Sequence, residues 1–253
     1  MRRCARSSIA VRCADRSTSN RPEGAHGSQG DVYGVLAVPI ATVTAALGEP
    51  SHWCDVLMLH LNNKSCRLAG AASAKQLELR IGSTYKQPAA QASRVVFAWH
   101  ALPAAPDFLS VQLDSPVGPN DTHDYLILLE AVAVDSGHSF LHLGYSFQYG
   151  AAGRIGLQLY LSTSGRSKVG FTSVASRPGA QPEPVGGVRG IVERNAMRYY
   201  LAIDAYLGAL SAPPAQQQDR RLQAWFDATE KYPLQLRDPD RATYLEMKRD
   251  ELR

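Results

Sequence analysis

Apolar and polar residues begin to alternate at Asp31, where "DVYGVLAV" predicts a half-buried strand. The period then lengthens. In "PIATVTAALGEP", Ile40, Val43, Ala46 and Leu47 recur at helical spacing after Pro39, which suits a first helical turn, and Gly48 and Pro50 stop the run. Ser51 is placed to cap a second short helix, "HWCDVLMLHL", with Asp55 in its early turns and Trp53 expected beneath the open edge of the sheet.

Strand patterns follow, separated by turn chemistry. "KQLELRIGST" sets Leu77, Leu79 and Ile81 against Glu78 and Arg80. "SRVVFAWHAL" and "DFLSVQLDSP" flank "PAAP", and "HDYLILLEAVAVD" and "SFLHLGYSFQYG" flank "SG" as in a hairpin. In the last of these, Leu141, Leu143, Tyr145, Phe147 and Tyr149 share one face, while His142, Ser146 and Gln148 share the other. A consecutive antiparallel meander satisfies all of them. After Gly150 the period is helical again, over 151–171 with Ile155, Leu159 and Leu161, and the loop "SRPGAQPEPVGG" comes next. "VRGIVERNAMRYYLAIDAYLGAL" is the strongest helix, with Val188, Ile191, Val192, Tyr199, Ile203, Tyr206 and Leu210 in one broad stripe. It ends before Pro213 and Pro214. Two amphipathic helices fill the tail, the first docking through Leu222, Trp225 and Phe226.

Charge changes the picture only at the N-terminus. The net charge is +4, and residues 1–30 alone carry it, with six arginines against Asp15 and Glu23. The body is therefore neutral, without a basic stripe or an interleaved aromatic platform, which argues against a nucleic-acid partner. Residues 1–30 have no hydrophobic periodicity and read as disordered, with the composition of an organelle transit peptide but no apolar core of a secretory signal. No run of apolar residues is long enough for a membrane span, which leaves room only for transient membrane contact.

Specific chemistry is sparse. Cys4 and Cys13 lie in the N-terminal segment, and Cys54 and Cys66 fit no zinc spacing. They are either a disulfide fixing the second helix to the first meander strand, implying a periplasmic or other extracytoplasmic compartment, or two buried thiols of a cytoplasmic protein. No Gly-x-Ser-x-Gly elbow occurs, and "VGGVRG" is neither a P-loop nor a dinucleotide fingerprint. His138 and His142 lack a third ligand, and His52 and His60 stand more than two helical turns apart, so no metal and no cofactor are expected.

Strand, two short helices, an antiparallel meander and a long helix is an order that resembles the helix-grip fold of the START-like, or Bet v 1-like, superfamily. The resemblance covers about Asp31 to Leu210, and its most telling local match runs from Pro39 to Trp53. It implies an α+β fold, a curved antiparallel β-sheet wrapped around a long C-terminal helix, with an internal cavity of the kind used for lipids, sterols or polyketides. The helix at 151–171 and the tail after Pro213 depart from that plan. The resulting division is a disordered segment 1–30, a helix-grip domain 31–211 and a helical extension 212–253.

The residues expected to line such a cavity are Trp99, Glu130, His142, Tyr145, Phe147, Arg194, Arg198 and Tyr199. Glu130 stands alone in an apolar strand, and on the cavity face it would be an acid or an anchor; on the outer face it would only aid solubility. On the long helix Glu193 can pair with Arg189, and Arg194 with Arg198 presents two cations on one face. A solvated, salt-bridged face is the expectation there. The alternative is an arginine turned inward to hold a ligand carboxylate. A small hydrophobic or amphipathic ligand is the expected partner. The alternatives are an enzyme on the same scaffold, cyclase-like or hydrolase-like, and an interaction module using Trp225 and Phe226. The sequence leaves oligomeric state open.

Overall fold

The computed structural model describes residues 10–14, 26–72, 74–103, 105–163, 165–175 and 181–253. Among them an eight-stranded antiparallel sheet is built from β1 (Ala10–Ala14), β2 (His26–Leu36), β3 (Asn63–Ala71), β4 (Ala74–Ile81), β5 (Ser93–Ala101), β6 (Phe108–Val117), β7 (Thr122–Ala133) and β8 (Ser139–Tyr149). β3 to β8 form the meander, and β2 returns to pair with β8. β3 is a strand that alternation does not mark, because at the edge of the sheet it exposes Leu68 and most of its second half.

The N-terminal expectation is corrected in part. β1 pairs with β2, and β2 starts at His26, ahead of the visible alternation. Pairing with β8 runs unbroken from His26↔Tyr149 to Leu36↔Ser139, so backbone hydrogen bonds order a stretch whose side chains carry no strand signal. Residues 1–9 and 15–25 lie outside the described residues.

Between β2 and β3 come α1 (Ile40–Leu47), a 3-10 turn at Pro50–His52 and α2 (Trp53–Leu57). Ser51 lies inside the 3-10 turn and makes no capping bond. Trp53 is buried, and its Nε1–H donates to the Leu47 carbonyl at 2.8 Å, which pins α2 to the end of α1. A Cys54–Cys66 disulfide, with Cα atoms 5.3 Å apart, ties α2 to β3.

The long helix α4 (Gly187–Gly208) packs against the inner faces of β2 and β8. Two glycines of β2 make that approach sterically feasible. A Cβ at Gly30 would stand 2.9 Å from the Val192 carbonyl group, and one at Gly34 would strike the Tyr200 hydroxyl. Any side chain at Gly30 has to push helix backbone away from sheet. α3 (Ala151–Ser162) precedes α4 and is shorter than its apolar period implies. The hydroxyls of Ser162 and Thr163 donate to the Leu159 carbonyl, offering the backbone an alternative partner where the helix stops. Its Ile155 and Leu159 are 68% and 65% exposed, so the periodic apolar stripe faces outward while Leu157 and Tyr160 turn inward.

The tail forms α5 (Pro214–Thr229), α6 (Pro233–Leu236) and α7 (Arg241–Glu251), and it belongs to the same core as the sheet. Trp225 and Phe226 are 2% and 7% exposed. The Trp225 Nε1–H donates to the Arg198 carbonyl at 3.0 Å, and its ring stacks on Tyr244 at 4.9 Å. Tyr244 in turn donates to the Leu59 carbonyl at 2.9 Å. These anchors are consumed internally, which corrects the idea of an interaction module built on them. Burying each large apolar side chain contributes roughly 1.5–3 kcal/mol, so the extension stabilises the domain as a part of it. Beneath α7 the Glu251 carboxylate accepts from Lys64 at 2.8 Å and Lys248 at 2.7 Å, and burial brings the Lys248 pKa down to about 8. Among the described residues no helix is long and apolar enough to cross a membrane.

The glycine contact makes a direct prediction. Gly30→Ala should destabilise the protein by about 1–3 kcal/mol in urea unfolding, the usual cost of forcing extra volume into a packed interface. An unchanged midpoint would show that α4 does not rest on β2 at this point.

Candidate ligand cavity

Ile191, Arg194, Asn195, Arg198 and Tyr199 recur at the spacing of one helical face, and on α4 that face looks into a cavity of about 620 Å³. The opposing wall is the inner face of the sheet, with Phe97 of β5, Tyr125 of β7, and Tyr145 and Phe147 of β8. Alternation dictates this wall, since the same parity buries Ile127, Leu129, Leu141 and Leu143 farther along β7 and β8. α3 closes one side through Gly153, Gly156, Leu157 and Tyr160, and the turns around Asn62, Tyr85 and Asn120 complete the rim.

The aromatic wall is continuous. Tyr125 stacks on Phe147 at 5.4 Å and meets Phe97 edge-on at 6.4 Å, while Tyr145 lies 5.8 Å from Tyr199 across the gap between sheet and helix. Burial pushes the Tyr199 phenol up to about 12 and the Tyr145 phenol well above its ordinary value, so both are neutral donors.

Polar groups enter this wall at a few points. The backbone N–H of Asn62 donates to His60 Nδ1 at 3.2 Å, which leaves the ring proton on Nε2 to be donated to Asn195 Oδ1 at 3.3 Å. His60 stacks on Tyr199 at 5.0 Å, and burial, reinforced by the nearby Arg198 charge, holds its pKa well below 6.5. Asp238, from the turn after α6, accepts from Arg198 Nη2 and Lys168 Nζ, each at 2.6 Å. Arg194 has no carboxylate partner among the described residues. Its Nη2 lies 3.4 Å from the Tyr160 hydroxyl, and its Nε and Nη1 are buried without an acceptor.

Five of the eight residues expected from sequence, Tyr145, Phe147, Arg194, Arg198 and Tyr199, are thus brought together at the cavity. Three are not. His142 and Glu130 lie on the outer face, where His142 Nε2 and Nδ1 stand 2.9 Å from Asp31 Oδ1 and Glu130 Oε2 respectively. Strand parity puts them there, opposite to Leu141 and Leu143. The hydrogen bond to Asp31 leads in raising the His142 pKa, with burial opposing and Glu130 adding to the rise. Trp99 packs at the edge of the core, away from the cavity lining, with the Lys75 ammonium 5.6 Å from its ring centroid.

The expected solvated face of α4 is also corrected. Glu193, Arg194 and Arg198 are 0%, 4% and 5% exposed, because the segment at 170–172 covers the first, and α3 and the tail reach the arginines, on the side that a bare helix would present to water. Glu193 accepts from the Phe171 and Thr172 backbone amides at 2.6 and 2.9 Å and so anchors the segment leading into α4. Asn63, Tyr125, Tyr160, Lys168 and Asp238 were not singled out by sequence pattern, and His60 was weighed only as a metal ligand with His52. Asn195 and Tyr125 had a signal, lying at cavity-face positions of α4 and β7. Asp238 sits in a turn and had none, and His60, expected in the second short helix, lies in the turn after α2 ends at Leu57.

No family model matches the chain, and no curated protein matches it. Among solved structures, a conserved protein from Geobacillus kaustophilus is similar at 14% identity, covering 71% of this chain and 95% of that one with a TM-score of 0.40. The Zhui aromatase/cyclase from Streptomyces sp. R1128 is similar at 13% identity, covering 81% and 95% with a TM-score of 0.38. Truncated norcoclaurine synthase from Thalictrum flavum is similar at 9% identity, covering 57% and 89% with a TM-score of 0.40. Likenesses of that order carry no argument about ligand, activity or residue roles. The α+β, helix-grip architecture rests on the strand order and the long helix themselves.

Proposed function

We propose that the protein binds an apolar or amphipathic small molecule between the sheet and α4. The observation that carries this reading is a cavity of about 620 Å³ with a continuous aromatic wall and a few convergent polar groups. Small-molecule sites typically span roughly 300–1,000 Å³ and are built in this way. Phe97, Tyr125, Tyr145, Phe147 and Tyr199 would cover the body of the ligand, and the arginines of α4 would meet its polar end.

An enzyme on this scaffold needs a group in the cavity that can take up a proton. Glu130 and His142 are on the other face of the sheet. His60 and Asp238 are in place, but the acceptor nitrogen of His60 is occupied by the Asn62 amide and its pKa is depressed, and Asp238 is held by Arg198 and Lys168. This favours binding over acid–base chemistry. Pairing of Cys54 with Cys66 supports residence in an oxidising compartment, periplasmic or otherwise extracytoplasmic.

Three measurements test these statements. A panel of lipids, sterols and aromatic polyketides should contain members that raise the melting temperature, the stabilisation reaching about 2.7 kcal/mol at a free concentration of 100 times Kd. No shift with any class, together with no small molecule in a solvent extract of the purified protein, would contradict the cavity reading. The His60 ring should stay neutral by NMR on acidification from about pH 7.5 to about pH 5.5. Because the unfolded imidazole titrates near 6.5 and the folded one well below, this group stabilises the fold above pH 6.5 and loses that contribution as pH falls toward the folded pKa. A His60 titration near 6.5 would restore it as a proton carrier. For the compartment, the intact mass of protein isolated with its thiols blocked should rise by two hydrogen atoms on later reduction, and a protein that arrives already reduced would support the cytoplasmic alternative.

A further inference from the structure

Arg194 is a buried cation that its surroundings among the described residues do not satisfy. It is 4% exposed, its Nε and Nη1 have no acceptor among the described residues, and the hydrogen bond it makes there, to the Tyr160 hydroxyl, is long at 3.4 Å. Other buried cations of the molecule are treated differently. Arg198 has Asp238, which it shares with the half-buried Lys168, Lys64 and Lys248 share Glu251, and Arg221 has Asp55 at 2.6 Å. A guanidinium held out of water without an anion costs far more than one that is paired, and a fold that pairs these other cations leaves Arg194 facing a cavity.

The lining has the same bias. It contains the cations Lys86, Lys168, Arg194 and Arg198, against Asp238 as its carboxylate. Asp238 is already bound to two of these cations, so the lining keeps a net positive charge. A neutral ligand would fill the aromatic part and leave Arg194 as it is. A ligand ending in a carboxylate would accept from the guanidinium, with the side chain turned to bring its buried Nη1 or Nε to the cavity, and from the Tyr160 hydroxyl beside it.

We propose that the ligand is an anionic amphiphile, a carboxylic acid with an aromatic or aliphatic body, whose carboxylate is seated by Arg194 and Tyr160 while the body lies against Tyr125, Tyr145 and Phe147. The inference rests on the cavity reading above and narrows it to a substrate class. It also gives α3 a role, because Tyr160 is the residue through which that helix meets the anion. A bound carboxylate would join α3 to α4.

Matched probes that differ only in charge separate the two readings. 1-Pyrenebutyrate and 1-pyrenebutanol form one pair, and dodecanoate and 1-dodecanol a second, with affinities measured by calorimetry on the full chain at neutral pH. In at least one pair the acid should bind about tenfold or more tightly than the alcohol, the scale of a charge-assisted hydrogen bond. In Arg194→Gln that ratio should fall to about threefold or less, while Arg194→Lys retains part of it and Tyr160→Phe lowers it. Should Arg194→Gln fail to fold, as judged by circular dichroism, the Lys and Phe variants carry the comparison. Acid and alcohol binding equally to the wild type would overturn the anion inference and leave the cavity reading standing. A preference for the acid that all these variants keep would overturn the assignment to Arg194. No binding by any of the four probes would count against the cavity reading and remove the basis of the inference with it.

Discussion

The molecule depends on how closely α4 lies on β2. Gly30 and Gly34 face the helix, and the backbone at Val192 fills the space that a side chain at Gly30 would need. That contact sets the distance between helix and sheet over one stretch of α4. It also orients the helix, so that Val192 and Ala196 pack against the core while Arg194, Asn195 and Arg198 turn along the adjoining side. The cavity is where the rings of β7 and β8 and the polar face of α4 stand apart. A helix lifted by extra side chains on β2 would change the cavity's width before it changed its composition.

Burying a face that carries two arginines has a cost, and the surrounding elements are arranged to offset it. The tail brings Asp238 to Arg198, and Trp225 donates to the Arg198 backbone, so the side chain and the main chain of one residue are both held by the extension. Glu193 spends its charge on the amides of Phe171 and Thr172 and so fixes the segment between α3 and α4. The additions to the helix-grip plan, α3 and the tail, therefore cover the polar side of the grip helix and supply Tyr160 and Asp238 to the cavity. Arg194 is left to whatever enters.

Much of this was legible in the sequence wherever a period exists. Alternation in β8 located Tyr145 and Phe147 of the aromatic wall, and the 3.6-residue period of α4 placed Arg194, Arg198 and Tyr199 on neighbouring turns. The same alternation set His142 opposite to Tyr145. Placing both at one site contradicted that parity, and the structure puts His142 outside with Asp31 and Glu130. Trp99 has the parity of Phe97 but lies nearer the end of β5, and position along a strand is not encoded in its alternation. Burial of the arginines was not legible, because it depends on which distant elements cover the helix. The outward stripe of Ile155 and Leu159 misled in the opposite sense, since apolar period alone does not say which neighbour a helix will have. Asp238 reaches the site from a turn, where sequence carries no periodic signal, and His60 from the turn after α2, which ends at Leu57 although the apolar period runs on past it.

The central claim is that a small molecule enters between the sheet and α4, and diffraction from crystals soaked with 1-pyrenebutyrate tests it most directly. The account predicts density for the ring system against Tyr125, Tyr145 and Phe147, with the carboxylate within hydrogen-bonding distance of Arg194. A cavity closed by repacked side chains, with the probe elsewhere on the protein or not bound, would contradict it.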